Sequence, residues 1–172
     1  MADQITPTQI SLSPGDRRHA YDPAAQPDLF EAVLGRRMAA FVVDFFIVCV
    51  LTIAAWVILF VLGFLTLGLA WLLFGVSFPA IALLYSAVTM GSVHSATLGM
   101  RLMELEIRMW YGDRVHALIG AFHTLAFYFS VTILSPLVLL VPLFTERKRC
   151  LHDFLCGTVV INSPERALSY RR

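Results

Sequence analysis

The sequence predicts an all-α membrane protein. It would be a small helical bundle of three long apolar segments, the third of them broken, with a small β-pairing at the cytoplasmic surface. Three observations lead there. Of 172 residues, 58% are hydrophobic and only 15% charged, which is too apolar for a soluble domain of this length. No Asp, Glu, Lys or Arg occurs between Phe45 and Met100, or between Val115 and Thr145, and charge-free blocks of that length read as membrane segments. Between the blocks, residues 102–109 alternate apolar and charged side chains, the period of a strand rather than a helix.

Taken in order, residues 1–30 hold Pro7, Pro14, Pro23 and Pro27 with mixed charge, and read as a disordered cytosolic tail. They lack the basic start, apolar core and cleavage site of a signal peptide. The membrane domain is expected over 31–162, with a short C-terminal tail over 163–172. Its first helix is expected over 37–62, long enough to span with some tilt. Arg36 and Arg37 stand before it and Asp44 lies inside it. Arg37 and Asp44 are seven residues apart, on one face but about 10 Å apart along the axis, too far for an ordinary pair within one helix. An ionisable group at that depth costs about 2.5–3.5 kcal/mol on insertion scales and marks a candidate functional site. Asp44 therefore needs a partner from another segment, a wet cavity or a proton.

Residues 63–75 are punctuated by Gly63, Gly68 and Gly75 and read as the outer turn. A second helix extends to about residue 90 with Pro79 inside it, and Ser77, Tyr85, Ser86 and Thr89 are candidate polar partners for the kink. The polar loop 91–116 carries the alternating stretch, with Glu104, Glu106 and Arg108 on one side and Leu105, Ile107 and Met109 on the other. That is the pattern of a half-exposed strand. Tyr111-Gly112-Asp113 signals a turn, Arg114-Val115 a return strand, and residues 158–161 a further strand expected to pair with the first.

The third apolar block, 116–144, is broken by Pro136 and Pro142. Positive charge places the N-terminus, the central loop (Arg101, Arg108, Arg114) and Arg147-Lys148-Arg149 on the cytoplasmic side. Three simple crossings would put the last cluster outside, so the third block is expected to enter, turn near Ser135-Pro136 and return, as a hairpin or re-entrant arm.

The net charge of +1 implies no nucleic-acid partner. Cys49, Cys150 and Cys156 are an odd number, and C-L-H-D-F-L-C at 150–156 fits no zinc spacing, so no metal and no cofactor are expected. His94, His116, His123 and His152 come without a nucleophile motif, phosphate loop or metal signature, so no enzymatic activity is expected.

Three motifs then combine: Arg37 with Asp44, A-T-L-G-M-R at 96–101, and L-H-D-F-L-C-G-T-V-V-I at 151–161. Together they resemble the RDD family of bacterial membrane proteins over about residues 30–162. The family is named for one arginine and two aspartates, which by motif alignment fall on Arg37, Asp44 and Asp153. Thr97, Gly99, Arg101, Arg149, Gly157 and Thr158 are supporting positions. The sequence departs from the family's usual T-P-G-K, with Leu98 for the proline and Met100 for the lysine, while Arg101 keeps an adjacent positive charge. The resemblance implies a multi-pass protein of the bacterial inner membrane and little chemistry; transport has been suggested for the family, and sodium–proton antiport attributed to some members.

Two functions stay open. In the first, the protein is a small carrier, an oligomer, in which Asp44 binds a cation or proton and Arg37 and Asp153 gate or neutralise it. In the second, it is an assembly or accessory protein whose partners are the bilayer and another membrane protein. Arg37, Asp44 and Asp153 then form a polar clamp.

Overall fold

The computed structural model describes residues 20–134, 145 and 149–170. It is mostly helical, with two long apolar helices and one small sheet. The long helices are α1 (Val33–Leu65) and α2 (Phe74–Met90). With the short 3-10 turns that precede them they form segments of 39 and 22 residues, long and apolar enough to cross a bilayer. Both elements are apolar nearly all round, and large side chains such as Phe46, Val57, Leu65 and Leu84 stand exposed on their outer flanks, as lipid-facing residues must.

α1 runs four residues earlier and three later than the expected 37–62, with Val33 to Arg36 joining the helix ahead of Arg37. Its far end closes where Leu67 and Gly68 both turn left-handed and Gly68 N–H donates to Gly63 O (2.7 Å). Trp71 folds back over that end, and a side chain at Gly63 would collide with its indole.

After α2 the chain forms a short helix α3 (Leu98–Leu102), strand β1 (Leu105–Met109) and a third apolar helix α4 (Ala117–Leu134). Helix α5 (Leu151–Cys156), strand β2 (Thr158–Asn162) and helix α6 (Pro164–Tyr170) follow. α2 lies against both α1 and α4. Small residues make the second contact close: a Cβ at Gly91 would come within 2.7 Å of the Ala117 backbone, and one at Gly120 within 3.1 Å of Ser86 O. The third apolar block is helical as far as residue 134, and the expected turn at Ser135-Pro136 lies outside the described residues.

β1 and β2 pair antiparallel, from Leu105 opposite Asn162 to Met109 opposite Thr158, as the alternation predicted. Two features differ. α3 occupies Leu102, so the strand starts at residue 105 after Glu104 turns left-handed. The charged face is also covered: Glu106 and Arg108 pair with each other at 2.8 Å and are 12% and 20% exposed. The return strand is reduced to a single bridge between Arg108 and Arg114.

Residues 20–30, read from their prolines as part of a tail, dock onto β2: Tyr21, Leu29 and Phe30 pack on Val159 and Ile161. Fully buried Asn162 fixes them, donating to Asp28 O (2.9 Å) and Glu31 O (3.0 Å) and accepting from Arg36 Nη1 (3.0 Å). Glu104 joins this polar end by ion pairs with Arg36 (2.9 Å) and Arg166 (3.4 Å). Residues 163–170, expected as tail, include α6, with Ala167 buried.

Candidate functional site

The three residues singled out by motif fall into two groups. Arg37 does not reach along its own helix to Asp44. Its Nη1 meets Asp153 Oδ2 at 2.8 Å, tying α1 to α5. Asp153 is fully buried and sits three residues after Cys150, whose backbone N–H donates to the same Oδ2 (2.8 Å). That is the position from which an acidic side chain caps a helix start. The other oxygen, Oδ1, takes His123 Nε2 from α4 at 2.8 Å and faces His152 Nε2 at 3.7 Å. One carboxylate thus joins α1, α4 and α5.

The electrostatics follow from that packing. Burial alone would raise the Asp153 carboxyl, but the Arg37 guanidinium, the His123 hydrogen bond and the two imidazoles hold it well below the usual carboxylate range. Burial pushes the His152 imidazole down to about 3, against the attraction of Asp153, so it is neutral at pH 7. The Cys150 thiol is pushed up to about 11 by burial despite the nearby arginine, so it is a protonated packing residue.

Asp44 is solvated differently. Tyr85 Oη from α2 donates to its Oδ1 and Thr97 Oγ1 to its Oδ2, both at 2.6 Å, and Gly99 N–H donates to Oδ1 at 2.8 Å. These are the short distances of hydrogen bonds to a charged acceptor. Thr97 also caps α3, accepting from Met100 N–H (3.2 Å), so the start of that helix is aimed at the carboxylate. Gly99 is required because a Cβ there would strike Ala40 O of α1 and lie 2.8 Å from Asp44 Cγ. Among the described residues Asp44 makes no ion pair.

A cavity of about 240 Å³ lies where α1, α2 and α4 converge. Arg37, Asp44, Tyr85, His123 and His152 all line it, and its walls are otherwise mostly apolar. The aromatic rings of Phe41 from α1 and Phe127 from α4 meet there, with centroids 5.6 Å apart.

The supporting positions divide in the same way. Thr97 and Gly99 hold Asp44. Arg149 donates from Nε to Thr158 O (3.0 Å) and from Nη2 to Asp153 O (3.3 Å), and stacks on Phe154 at 4.3 Å. Gly157 is left-handed (φ 63°) where α5 gives way to β2. Arg101 instead reaches Ser92 Oγ at 2.9 Å, and no bond of its own joins it to either aspartate. Two residues central to the geometry were not among the proposed site residues. In the sequence Tyr85 reads as a polar partner for the Pro79 kink, and His123 as one of four histidines without a catalytic or metal motif.

His123, His152 and Asp153 have ligating atoms within 4.8 Å of one another, the spacing of a metal site. The donor chemistry does not suit a divalent ion. Arg37 already neutralises the single carboxylate at 2.8 Å, so a dication would leave two uncompensated charges in a buried site. The cysteines of 150–156 do not join this cluster.

Two helices long and apolar enough to cross a bilayer, with exposed apolar flanks, enclose with α4 a mostly apolar cavity that carries the Asp44 carboxylate, as in a membrane protein. A family model for the RDD family matches residues 31–157, and the chain belongs to this family of membrane proteins. No curated protein and no solved structure matches the chain.

Proposed function

We propose that the protein is a multi-pass membrane protein of the bacterial inner membrane that binds a monovalent cation, or a proton in its place, at Asp44, and works as a small ion-coupled carrier without enzymatic activity. One observation carries this reading. Asp44 lines a cavity inside the apolar helices, held by two hydroxyls and an amide, with no positive group paired to it among the described residues. A negative charge in a medium of low dielectric attracts a counter-charge strongly, and neutral donors orient it without cancelling it. Arg37 and Asp153 form a closed ion pair beside it, with His123 hydrogen-bonded to the same carboxylate.

In this reading the sheet end is cytoplasmic. Arg36, Arg101, Arg108, Arg114 and Arg149 belong to it or to the segments flanking it, the arrangement favoured for cytoplasmic loops. The N-terminus shares that side. The central loop and the C-terminal strand share that side too, because β2 pairs with β1. The bilayer is the immediate partner, and a second copy of the chain the expected oligomeric one.

A second reading is favoured by the Arg37–Asp153 pair alone. That pair, with Asn162 and Gly157, has the character of a clamp, and a protein needing only the clamp would serve as an assembly or accessory subunit. The two readings separate in proteoliposomes. Purified protein should support cation-dependent proton flux that Asp44→Asn abolishes while assembly is retained. Flux equal in the Asn variant removes the carrier role of Asp44, and no flux with any common cation favours the accessory reading.

A further inference from the structure

The cavity around Asp44 has walls ill suited to a hydrated inorganic ion. Hard cations exchange their water for about six oxygens. Here the Tyr85 and Thr97 hydroxyls each donate to Asp44 and also accept a backbone N–H, from Leu98 (3.1 Å) and Met100 (3.2 Å), so the free oxygens among the described residues are few, those of Ser86, Thr124 and Tyr128. Most of the remaining wall is aromatic. Phe41 and Phe45 from α1, Phe78 from α2, and Phe127 and Tyr128 from α4 all line the space. Their rings run in continuous contact, Phe78 to Phe45 at 6.3 Å, Phe45 to Phe41 at 6.4 Å and Phe41 to Phe127 at 5.6 Å.

Size and charge narrow the occupant further. At about 240 Å³ the cavity holds several times the ~30 Å³ share of one water, and lies just below the ~300–1,000 Å³ common for small-molecule sites. Among the described residues, the Arg and Asp side chains that line it are Arg37, paired with Asp153, and Asp44, which has no counter-ion there. The complement is one positive charge. Met38, Phe41 and Phe45 line the cavity and are also about half exposed on the flank of α1, so the wall is shared with the surface that meets lipid.

We propose that this cavity binds a lipophilic organic monocation, an ammonium centre bearing small apolar or aromatic groups. Asp44 stands opposite the charge, and Phe41, Phe45, Phe78 and Phe127 surround the body. Aromatic rings attract such centres through their negative faces, most strongly where water is excluded. The proposal rests on the reading of Asp44 as a cation site and specifies the cation's class.

The test is calorimetric titration of the full chain in detergent, using benzyltrimethylammonium, its neutral isostere neopentylbenzene, and sodium and potassium, with empty micelles as the blank. The expected result is saturable binding of benzyltrimethylammonium, weakened at least tenfold in Asp44→Asn, with no competition from neopentylbenzene. The double variant Phe41→Leu/Phe127→Leu keeps the carboxylate and should weaken that binding by about 5- to 30-fold, which keeps the question open to test should the Asn variant not fold. Asp44-dependent binding of sodium or potassium without the organic cation overturns the class and leaves the cation site standing. No Asp44-dependent binding of any cation overturns both. Equal competition by neopentylbenzene, indifferent to Asp44→Asn, identifies a pocket for lipid tails and overturns the proposal.

Discussion

Asp44 and Asp153 are two carboxylates of one small membrane domain, and the protein treats them in opposite ways. Asp153 is fully buried and cancelled: Arg37 meets one oxygen, His123 the other, and its helix start completes the set. Asp44 is oriented by neutral donors only, and it lines a cavity. A charge that is neutralised fixes neighbouring elements in one arrangement. A charge that is solvated but not neutralised keeps an attraction for something that comes and goes. The difference separates architecture from binding more sharply than burial does, since both residues stand among apolar helices.

The largest expected effect breaks the neutralised pair. Arg37→Met leaves Asp153 charged and buried, a loss of about 3–5 kcal/mol for a buried pair with one partner removed. It should collapse the melting temperature in detergent, and Arg37→Met combined with Asp153→Asn, which removes the stranded charge but keeps an acceptor for Cys150 N–H and His123, should recover part of it. If the double variant is no better than the single, the pair is not the clamp described. Next comes Asp44→Leu, which strands Tyr85 Oη, Thr97 Oγ1 and Gly99 N–H at about 1–3 kcal/mol for each group left dry. Asp44→Asn keeps an acceptor for most of these donors and should melt within about 1 kcal/mol of wild type. Equal stability of the Leu and Asn variants would show that the three donors do not depend on Asp44.

Gly99→Ala tests the seam between α1 and α3. Its methyl group meets Ala40 O and the Asp44 carboxylate, so a cost of about 1–3 kcal/mol is expected, with a change in cation affinity that Asp153 variants lack. An effect of comparable size is expected in acid. The folded imidazole of His152 titrates near 3, below its value of about 6.5 in an unfolded chain. Between those values the unfolded state binds more protons, so stability is full above about pH 6.5 and falls as pH drops. Asp153 adds to the loss only below about pH 4, since its folded value is depressed from there. Melting temperature should therefore decline from pH 7 to pH 4.5 in wild type and stay flat in His152→Phe. A decline of the same size in that variant would assign the acid sensitivity elsewhere.

Much of the fold is legible in the order of residues. Charge-free runs give α1 and α2 because a bilayer core needs about 20 apolar residues to cross, and the alternation from Leu105 to Met109 gives β1 because side-chain direction has a period of two. The docking of residues 20–30 is not legible. Prolines Pro23 and Pro27 look like tail, and the buried amide that holds the segment, Asn162, lies more than 130 residues away. At the site, helical periodicity correctly places Arg37 and Asp44 in one cavity wall but says nothing of partners. Those are chosen by what packs opposite: α5 for Arg37, and α2 and α3 for Asp44. Tyr85 carried a weak signal, a hydroxyl among apolar residues of a spanning helix. His123 carried another, an imidazole in the first half of an apolar run, where a buried ring nitrogen needs a partner.

The measurement that bears most directly on the two aspartates is cation-induced infrared difference spectroscopy of the purified protein, reading the carboxylate stretch in wild type, Asp44→Asn and Asp153→Asn. The account predicts a shifted carboxylate band on adding benzyltrimethylammonium that vanishes in Asp44→Asn and persists in folded Asp153→Asn. A band that survives Asp44→Asn, or that disappears with Asp153 instead, would contradict the assignment of binding to one carboxylate and architecture to the other.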